Sequence, residues 1–391
     1  MTAERVYLDH NATSPLRPAA QVAVQGALSL GNASSVHAEG RAARAAIEHA
    51  REQVAALVGA DPRAVTFTSG ATESNAHALS PEFPVGGRTR RYDVLLVSGV
   101  EHPSIRSGGR FTPDQVETLG VDGDGLVDLV ALEAALARHK QGGRRALVSV
   151  MAANNETGTL QPVAEIAARV HAVDGLFHSD AVQIAGKLPF DLAASGADLI
   201  SISSHKLGGP QGSGALIARH EDIRVPPVLR GGGQERGRRA GTENVVAIAG
   251  FGAAAAEAGA QLKSEASRIA KLREAAEAGI RAISPSAVVL SSGAERLPNT
   301  ICFAVPGIAA ETAVMALDLD GIAVSAGAAC SSGKVGPSET LAAMQVAPEI
   351  AKGALRVSLG WSTTESDISR FLEVWKRVYL NLGQRRRERA A

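Results

Sequence analysis

Short apolar segments alternate with amphipathic or Ala-rich segments through the first two thirds of the chain, and this alternation restricts the fold most strongly. Such a pattern is typical of an α/β protein in which helices cover both faces of a mostly parallel sheet. It predicts strands at 64–68, 93–98, 145–151, 176–179, 198–203 and 214–218. It predicts helices at 42–59, 71–78, 129–140 and 163–173. Because no helix separates strands 198–203 and 214–218, we expect a hairpin or a reversed strand there.

The length of 391 residues exceeds what one hydrophobic core usually supports, so two domains are expected. A Gly/Arg-rich segment, 230–241, interrupts the alternation and is followed by a long Ala-rich helical stretch, 245–283. The chain from 287 onward reads as a smaller β-β-α-β-α-β-α unit. We predict a large domain at 16–260 and a small α+β domain formed by 1–15 together with 261–391.

Composition argues against several classes of function. Lys and Arg total 40 and Asp and Glu total 40, and aromatic residues make up 3%, so nucleic acid is not an expected partner. No apolar run reaches the roughly 18 residues of a membrane helix, and the N-terminus does not resemble a signal peptide. The two cysteines have no metal-ligand spacing, which favours a reducing cytoplasm. The basic tail at 384–389 is interpreted as a solvated end, with a docking role as the alternative.

Lys206 follows the predicted strand 198–203, with Ser203 and His205 beside it. An amine in that position suits a Schiff base with an aldehyde cofactor that carries a phosphate. Asp180 and Gln183 follow the predicted strand 176–179. Pyridoxal phosphate (PLP) needs a lysine for its aldehyde and a carboxylate for its ring nitrogen, and Gln183 could bond the ring's phenolic oxygen. The alternative is that Asp180 only caps a helix.

The run 68–75, Thr-Ser-Gly-Ala-Thr-Glu-Ser-Asn, opens a helix directly after a predicted strand. Backbone N–H groups at a helix start bind phosphate, and Gly70 permits close approach. Alone, this run could be an ordinary helix cap. Together with Ser203, His205 and Lys206 at the same edge of the sheet, a phosphate site is favoured.

Two further loops follow predicted strands. Asn154 and Asn155 suit hydrogen bonds to a flat heterocycle, although Asn-rich loops are also common turns. His102 could stack on a cofactor ring and move protons, although a single loop histidine is otherwise unremarkable.

The two thiols differ in their surroundings. Cys330 is flanked by small and polar residues, so we expect an exposed loop and a candidate nucleophile. Cys302 lies in an apolar strand-like run and is interpreted as a buried hydrophobe. Arg356 is an isolated cation in a strand pattern. It suits a clamp on a substrate carboxylate, or alternatively a structural ion pair.

Taken together, these segments resemble the NifS/IscS-type cysteine desulfurases, fold-type I PLP enzymes of the aminotransferase class V group. The matching segments occur in family order at 7–13, 69–75, 101–104, 154–158, 180–183, 203–209, 231–237, 241–245, around Cys330 and at Arg356. The set is specific, although each piece alone is weak. The sequence departs from the family pattern at Ala328, at 360–362 and in the Pro/Gly/Arg-rich segment 81–91, which we interpret as a linker.

The resemblance implies a large, mixed, mostly parallel seven-stranded sheet domain and a smaller domain that carries the Cys330 loop. It implies that Lys206 holds PLP, that Cys330 forms a persulfide and that His102 moves protons. The residues implied to surround the cofactor are Ala71, Thr72, His102, Asn155, Asp180, Gln183, Ser203, His205 and Lys206. Asn155 and Arg356 are implied to contact the substrate, L-cysteine.

The resemblance also implies a homodimer in which Thr242 reaches the phosphate of the neighbouring subunit. The sulfur acceptor implied is an iron–sulfur scaffold or another thiolation partner, on which Cys330 could transiently ligate a cluster. An aminotransferase, a selenocysteine lyase and a non-catalytic scaffold of the same fold remain alternatives. The residues do not identify the acceptor or its pathway.

Overall fold

The computed structural model describes residues 5–327 and 338–390. The strands are β1 (Val6–Tyr7), β2 (Val65–Thr68), β3 (Glu82–Val85), β4 (Arg88–Arg91), β5 (Val94–Ser98), β6 (Val116–Leu119), β7 (Ala146–Ser149), β8 (Leu176–Asp180), β9 (Leu199–Ser203), β10 (Gly214–Ala218), β11 (Val288–Val289), β12 (Thr300–Ala304), β13 (Ile322–Ala323), β14 (Ser325–Ala326) and β15 (Ala354–Ser358). The helices are α1 (Pro18–Ala27), α2 (Ala38–Leu57), α3 (Ala71–Ala78), α4 (Pro103–Arg106), α5 (Leu129–Gln141), α6 (Val163–His171), α7 (Leu192–Ser195), α8 (Val245–Ile283), α9 (Ala310–Leu319), α10 (Glu339–Ala343), α11 (Pro348–Ala351) and α12 (Glu365–Ala390).

The main sheet has seven strands in the order β2-β10-β9-β8-β7-β5-β6. Strands β5 to β9 pair in parallel, and β10 runs antiparallel to both β9 and β2. The predicted mixed, mostly parallel sheet and its reversed strand are therefore confirmed. The sequence pattern missed the edge strand β6, because its run Val-Glu-Thr-Leu is only partly buried.

The central strands are buried along their whole length, which explains their continuous apolar composition. His178 lies at the centre of the sheet, where its ring nitrogens are 2.9 Å from the hydroxyls of Ser149 and Ser201 on the neighbouring strands. Burial lowers the pKa of His178 to about 3, so this imidazole is a neutral structural bridge.

Segment 81–91, interpreted as a linker from its composition, forms the hairpin β3–β4 instead. Gly86 and Gly87 take φ values of 57° and 78° at its turn, which glycine adopts without strain. Phe83 is buried and packs edge-on against Tyr92 with ring centroids 6.1 Å apart. The buried side chain of Phe83 thus anchors a hairpin whose remaining residues have the Pro-, Gly- and Arg-rich composition of a linker.

A second sheet follows α8, with the order β11-β12-β15-β14. The N-terminal strand β1 pairs in parallel with β13, and Asp9 bridges to Ser358, so the first residues pack with the last third of the chain as expected. Phe303 and Trp375 are buried in the core of this region, with their rings 5.2 Å apart. The boundary at 260 between the two domains stays a prediction.

Helix α8 is long and apolar enough to span a membrane by length and composition. Half of its most apolar stretch is buried inside the protein, and it packs along α1 and α2. A core helix meets the same criterion, and the burial of Ile248, Phe251 and Ala254 assigns α8 to the core.

Candidate active site

A cavity of about 360 Å³ opens at the carboxyl ends of β2, β8 and β9. This is the edge at which ligands bind in open α/β sheets, and the volume is within the range of small-molecule sites. Of the residues predicted to surround the cofactor, all but Thr242 line this cavity. They are Ala71, Thr72, His102, Asn155, Asp180, Gln183, Ser203, His205 and Lys206. The distant segments that carry these residues therefore meet at one cavity, while their roles toward a cofactor stay predictions.

The start of α3 forms one wall of the cavity. Its N-cap, Gly70, has no side chain to satisfy the first backbone N–H groups of the helix. Gly214 on β10 lets the two backbones approach, because a Cβ atom there would come within 2.6 Å of the carbonyl carbon of Gly70. Glu73 accepts hydrogen bonds from Ser69 N and Arg239 Nε at 2.8 and 2.9 Å and braces this turn.

Lys206 lies in the short turn that follows β9 and is half-buried. Its Nζ donates to the carbonyl oxygens of Asn11 and Ala12 at 2.6 and 2.7 Å. The N-terminal segment therefore holds the amine at the cavity wall.

Asp180 ends β8 and is buried. Its two carboxylate oxygens accept hydrogen bonds from Asn75 Nδ2 and from the backbone N–H of Val182, each at 3.0 Å. Asn75 also donates to Ser104 Oγ at 2.9 Å. The carboxylate is thus held by α3 and by the turn after β8.

His102 caps helix α4, and its Nδ1 accepts the backbone N–H of Ser104 at 3.2 Å. The proton of a neutral ring is therefore assigned to Nε2. Burial lowers the pKa of His102, and the positive charges of Lys206 and Arg106 lower it further, while Asp180 opposes them. The pKa of His205 is lowered to about 4 by burial and by Lys206 and Lys187. Both imidazoles are neutral at neutral pH.

The sequence matches the family described as aminotransferase class-V over residues 6–371. The chain belongs to this family. Over 378 residues it is 43% identical to a cysteine desulfurase of Cereibacter sphaeroides, with 95% of each chain covered. It is 38% identical over 379 residues to the cysteine desulfurase IscS of Dictyoglomus turgidum, covering 95% and 94% of the two chains. The resemblance to desulfurases inferred from the motifs is therefore confirmed.

A solved structure agrees with these class-V relatives. The NifS-like protein from Rickettsia africae superposes with a TM-score of 0.86 at 36% identity, covering 96% of this chain and 99% of the other. The predicted fold class is thus confirmed.

Class-V enzymes of this kind use PLP, and the cavity fits that group. It brings together a primary amine, a carboxylate, neutral imidazoles and the hydroxyls of Thr72 and Ser203, beside an uncapped helix start. An aldehyde, a pyridine nitrogen and a phosphate each find a chemical partner in this set.

Two predicted functional residues of the described part of the chain, Arg356 and Thr242, are not among those that line the cavity. Arg356 is buried on β15, where it donates to Asp9 Oδ1 at 2.8 Å and to the carbonyl oxygen of Asn155 at 3.1 Å. Thr242 is exposed on the surface. Cys330 lies outside the described residues. Their predicted roles as clamp, phosphate ligand of a partner subunit and nucleophile stay predictions.

Cys302, interpreted as a buried hydrophobe, is indeed buried on β12. Burial raises its pKa to about 12, so it carries no thiolate at neutral pH. Within residues 5–327 and 338–390, no group of three or more His, Cys, Asp or Glu side chains could hold a metal ion.

Sequence reasoning missed several residues around the cavity. Asn11, Asn75 and Ser104 line the cavity, and Lys187 lies just behind it. Asn11 and Asn75 belong to motifs that the resemblance included, but their contacts with Lys206 and Asp180 span long distances in sequence. Lys187 gave no signal, because one lysine after a glycine resembles any exposed turn.

Proposed function

We propose that this chain is a PLP-dependent cysteine desulfurase that converts L-cysteine to L-alanine and leaves the sulfur as a persulfide on Cys330. The observation that carries the proposal is the convergence of Lys206 and Asp180 on one cavity, from the ends of the adjacent strands β9 and β8. The near full-length similarity to proteins named cysteine desulfurases supports the choice of reaction.

The residues around the cavity would hold PLP at three points. The amine of Lys206 would bond its aldehyde, and Asp180 would face its ring nitrogen. The start of α3 at Ala71 and Thr72, with Ser203 and His205, would bind its phosphate. Gln183, His102 and Asn155 would contact the ring, and Thr242 of a second copy would complete the phosphate site.

When bound, PLP withdraws electrons from the substrate α-carbon, so that the α-proton and then the carbon–sulfur bond can be released. Lys206 Nζ accepts the α-proton as general base. His102 carries a proton on Nε2 and is suited to shuttle it within the cavity. The neutral state of this imidazole supports that role, because it can both donate and accept.

Arg356 is proposed to bind the substrate carboxylate. Its Nε–H is buried and has no hydrogen-bond partner among the described residues, which supports a ligand oxygen as the acceptor. The carbonyl oxygen of Asn155, which accepts from Arg356 Nη1, ties this guanidinium to a residue of the cavity wall.

The Cys330 thiolate is proposed to attack the sulfur of bound cysteine. A sulfur–sulfur bond forms, the carbon–sulfur bond breaks and its electron pair stays with the substrate carbon, which is then protonated to give alanine. The outer sulfur of the persulfide passes to an acceptor thiol of an iron–sulfur scaffold or of another thiolation partner. On an iron–sulfur scaffold, Cys330 would also ligate a cluster transiently. We place this homodimeric enzyme in the cytoplasm.

The test measures the absorbance of the purified protein, followed by alanine and sulfide release from L-cysteine with a thiol reductant. The wild type should show the visible band of lysine-bound PLP and form both products, while Cys330→Ser should keep the band and lose both. A Cys330→Ser variant with normal turnover would rule out the nucleophile assignment. Cys330-independent transamination would indicate an aminotransferase, a colourless protein would indicate a scaffold, and preference for selenocysteine would indicate a lyase.

A further inference from the structure

Lys187 is a half-buried residue that lines a second, smaller cavity of about 30 Å³, which shares Lys206 with the active-site cavity. Its Nζ donates to Gln183 Oε1 at 2.7 Å and to Asn11 Oδ1 at 3.0 Å. Both acceptors belong to residues that line the active-site cavity. Within the described part of the chain, Lys187 makes no salt bridge, so its amine is bound only by neutral amides.

The orientation of the Gln183 side chain depends on this amine. The two ends of an amide have nearly the same shape, so hydrogen-bond partners decide which end faces which way. Gln183 Nε2 donates to the carbonyl oxygen of Asn11 at 3.1 Å, and Lys187 is the one donor to Gln183 Oε1 among the described residues. Without Lys187, either orientation of the amide would leave one end poorly satisfied.

Asn11 does not depend on Lys187 in the same way. Its Oδ1 accepts a second hydrogen bond from Asn299 Nδ2 at 3.0 Å, and its Nδ2 donates to Thr300 Oγ1 at 2.8 Å. Asn11 therefore keeps its orientation when Lys187 is removed. The effect of such a removal should concentrate on Gln183.

The environment favours hydrogen bonding over charge as the contribution of Lys187. Burial lowers the pKa of Lys187 well below its usual value, and the nearby charges of Lys206 and Arg356 lower it further. A neutral amine still donates hydrogen bonds, so the contact with Gln183 does not require a charge.

We propose that Lys187 is a positioning residue that holds the Gln183 amide with its N–H end available to the ring oxygen of PLP. This inference rests on the proposed function, in which Gln183 contacts that oxygen. A hydrogen-bond donor to the ring oxygen stabilises the negative charge on that oxygen. The oxygen then attracts the proton of the neighbouring Lys206–PLP linkage less strongly, so the linkage has a lower pKa. Loss of the fixed amide should therefore raise the pKa of the linkage.

The experiment compares Lys187→Met with Lys271→Met, which changes an exposed lysine of α8. The absorbance of bound PLP is titrated with pH, and PLP affinity is measured by equilibrium dialysis. In Lys187→Met we expect the pKa of the linkage to rise by about one unit and PLP to bind about tenfold more weakly, as for one lost hydrogen bond. Lys187→Gln, which keeps a donor, should shift less, and Lys271→Met should match the wild type.

A double variant gives the decisive control. On a Gln183→Ala background, Lys187→Met should cause no further shift of the linkage pKa, because the amide it positions is gone. An unshifted titration in Lys187→Met, or an equal shift on both backgrounds, would overturn the positioning role. A wild type that binds no PLP would overturn the proposed function as well, whereas a normal wild type with an unchanged Lys187→Met titration would overturn this inference alone.

Discussion

Arg356 donates a hydrogen bond to the carboxylate of Asp9 across 2.8 Å, which joins strand β15 to the segment that follows β1. The arginine side chain is 1% exposed and the aspartate 18%, so the pair is largely removed from water. Removing one partner of such a pair is costly, because the other charge stays buried. The same guanidinium is proposed to bind the substrate, and with that role the pair would link stability to substrate binding.

Two substitutions separate these roles. Arg356→Lys keeps a cation near Asp9 but loses the planar fork of donors, so the KM for L-cysteine should rise by about tenfold or more while PLP stays bound. Asp9→Asn should lower the melting temperature and leave the KM close to that of the wild type. Steady-state kinetics and thermal melts of both variants check these outcomes. If Arg356→Lys changes stability alone, the arginine is structural only.

Glu101 predicts a specific pH dependence of stability. It is buried beside the cavity, where its Oε1 accepts from Ser98 Oγ at 2.6 Å and from Met151 N at 2.8 Å. Burial raises the pKa of Glu101 to about 8. Between about pH 4.5 and 8, Glu101 is therefore protonated in the folded state and ionised in the unfolded state. Its contribution to the free energy of unfolding falls as the pH rises through this window, by up to about 1.4 kcal/mol per pH unit.

Glu101→Gln keeps one acceptor oxygen, which can receive both hydrogen bonds that Oε1 now accepts, and removes the ionisation. The difference in unfolding free energy between variant and wild type should therefore move in favour of the variant from pH 5 to pH 8. Denaturant titrations at both pH values measure this difference. A constant difference would show that Glu101 does not titrate in this way.

The parallel strands and long helices could be predicted because each carries a local signal. Strand β10 and helix α3 have the predicted bounds, since a continuous apolar run and a glycine cap mark their ends. Hairpin β3–β4 could not be predicted from composition, because Phe83 and Tyr92 anchor it by packing into a core cluster with residues from distant elements, such as Leu147 and Leu216. Tertiary contacts of this kind leave little trace in local composition.

In the candidate site, too, features with a local sequence signal could be predicted and features that depend on distant contacts could not. Asp180 and Lys206 follow apolar strands, and the topology of a parallel sheet brings strand ends together, so their meeting could be predicted. The partners of Lys206 could not, because Asn11 lies 195 residues away in sequence. The sequence offers a structural ion pair as one of two interpretations of Arg356 but does not identify Asp9 as its partner, since nothing local in either segment selects the other.

Gly214 and Gly26 form a matched pair for the close approach at the start of α3. A Cβ atom at Gly214 would lie 2.6 Å from the carbonyl carbon of Gly70, whereas one at Gly26, in α1, would meet nothing within 4 Å. Gly214→Ala should therefore displace the helix start, lower stability and weaken PLP binding. Gly26→Ala, in the last turn of α1, should raise stability by at most the roughly 0.5–1 kcal/mol found for glycine replaced in a helix interior.

Thermal melts and PLP dialysis of the two glycine variants check this contrast. Equal behaviour of both would show that the backbone approach at Gly214 is not needed for the cofactor site.

The two cysteines should differ in reactivity towards an alkylating reagent at neutral pH. Cys302 is buried and its pKa is raised to about 12, so the native fold protects it. Cys330 is expected from its small, polar sequence neighbours to react. Native protein should therefore incorporate about one label per chain, Cys330→Ser about none, and denatured wild type about two. Cys302→Ala should keep both labelling at Cys330 and sulfide release, and loss of activity in that variant would show that the buried thiol takes part in the chemistry.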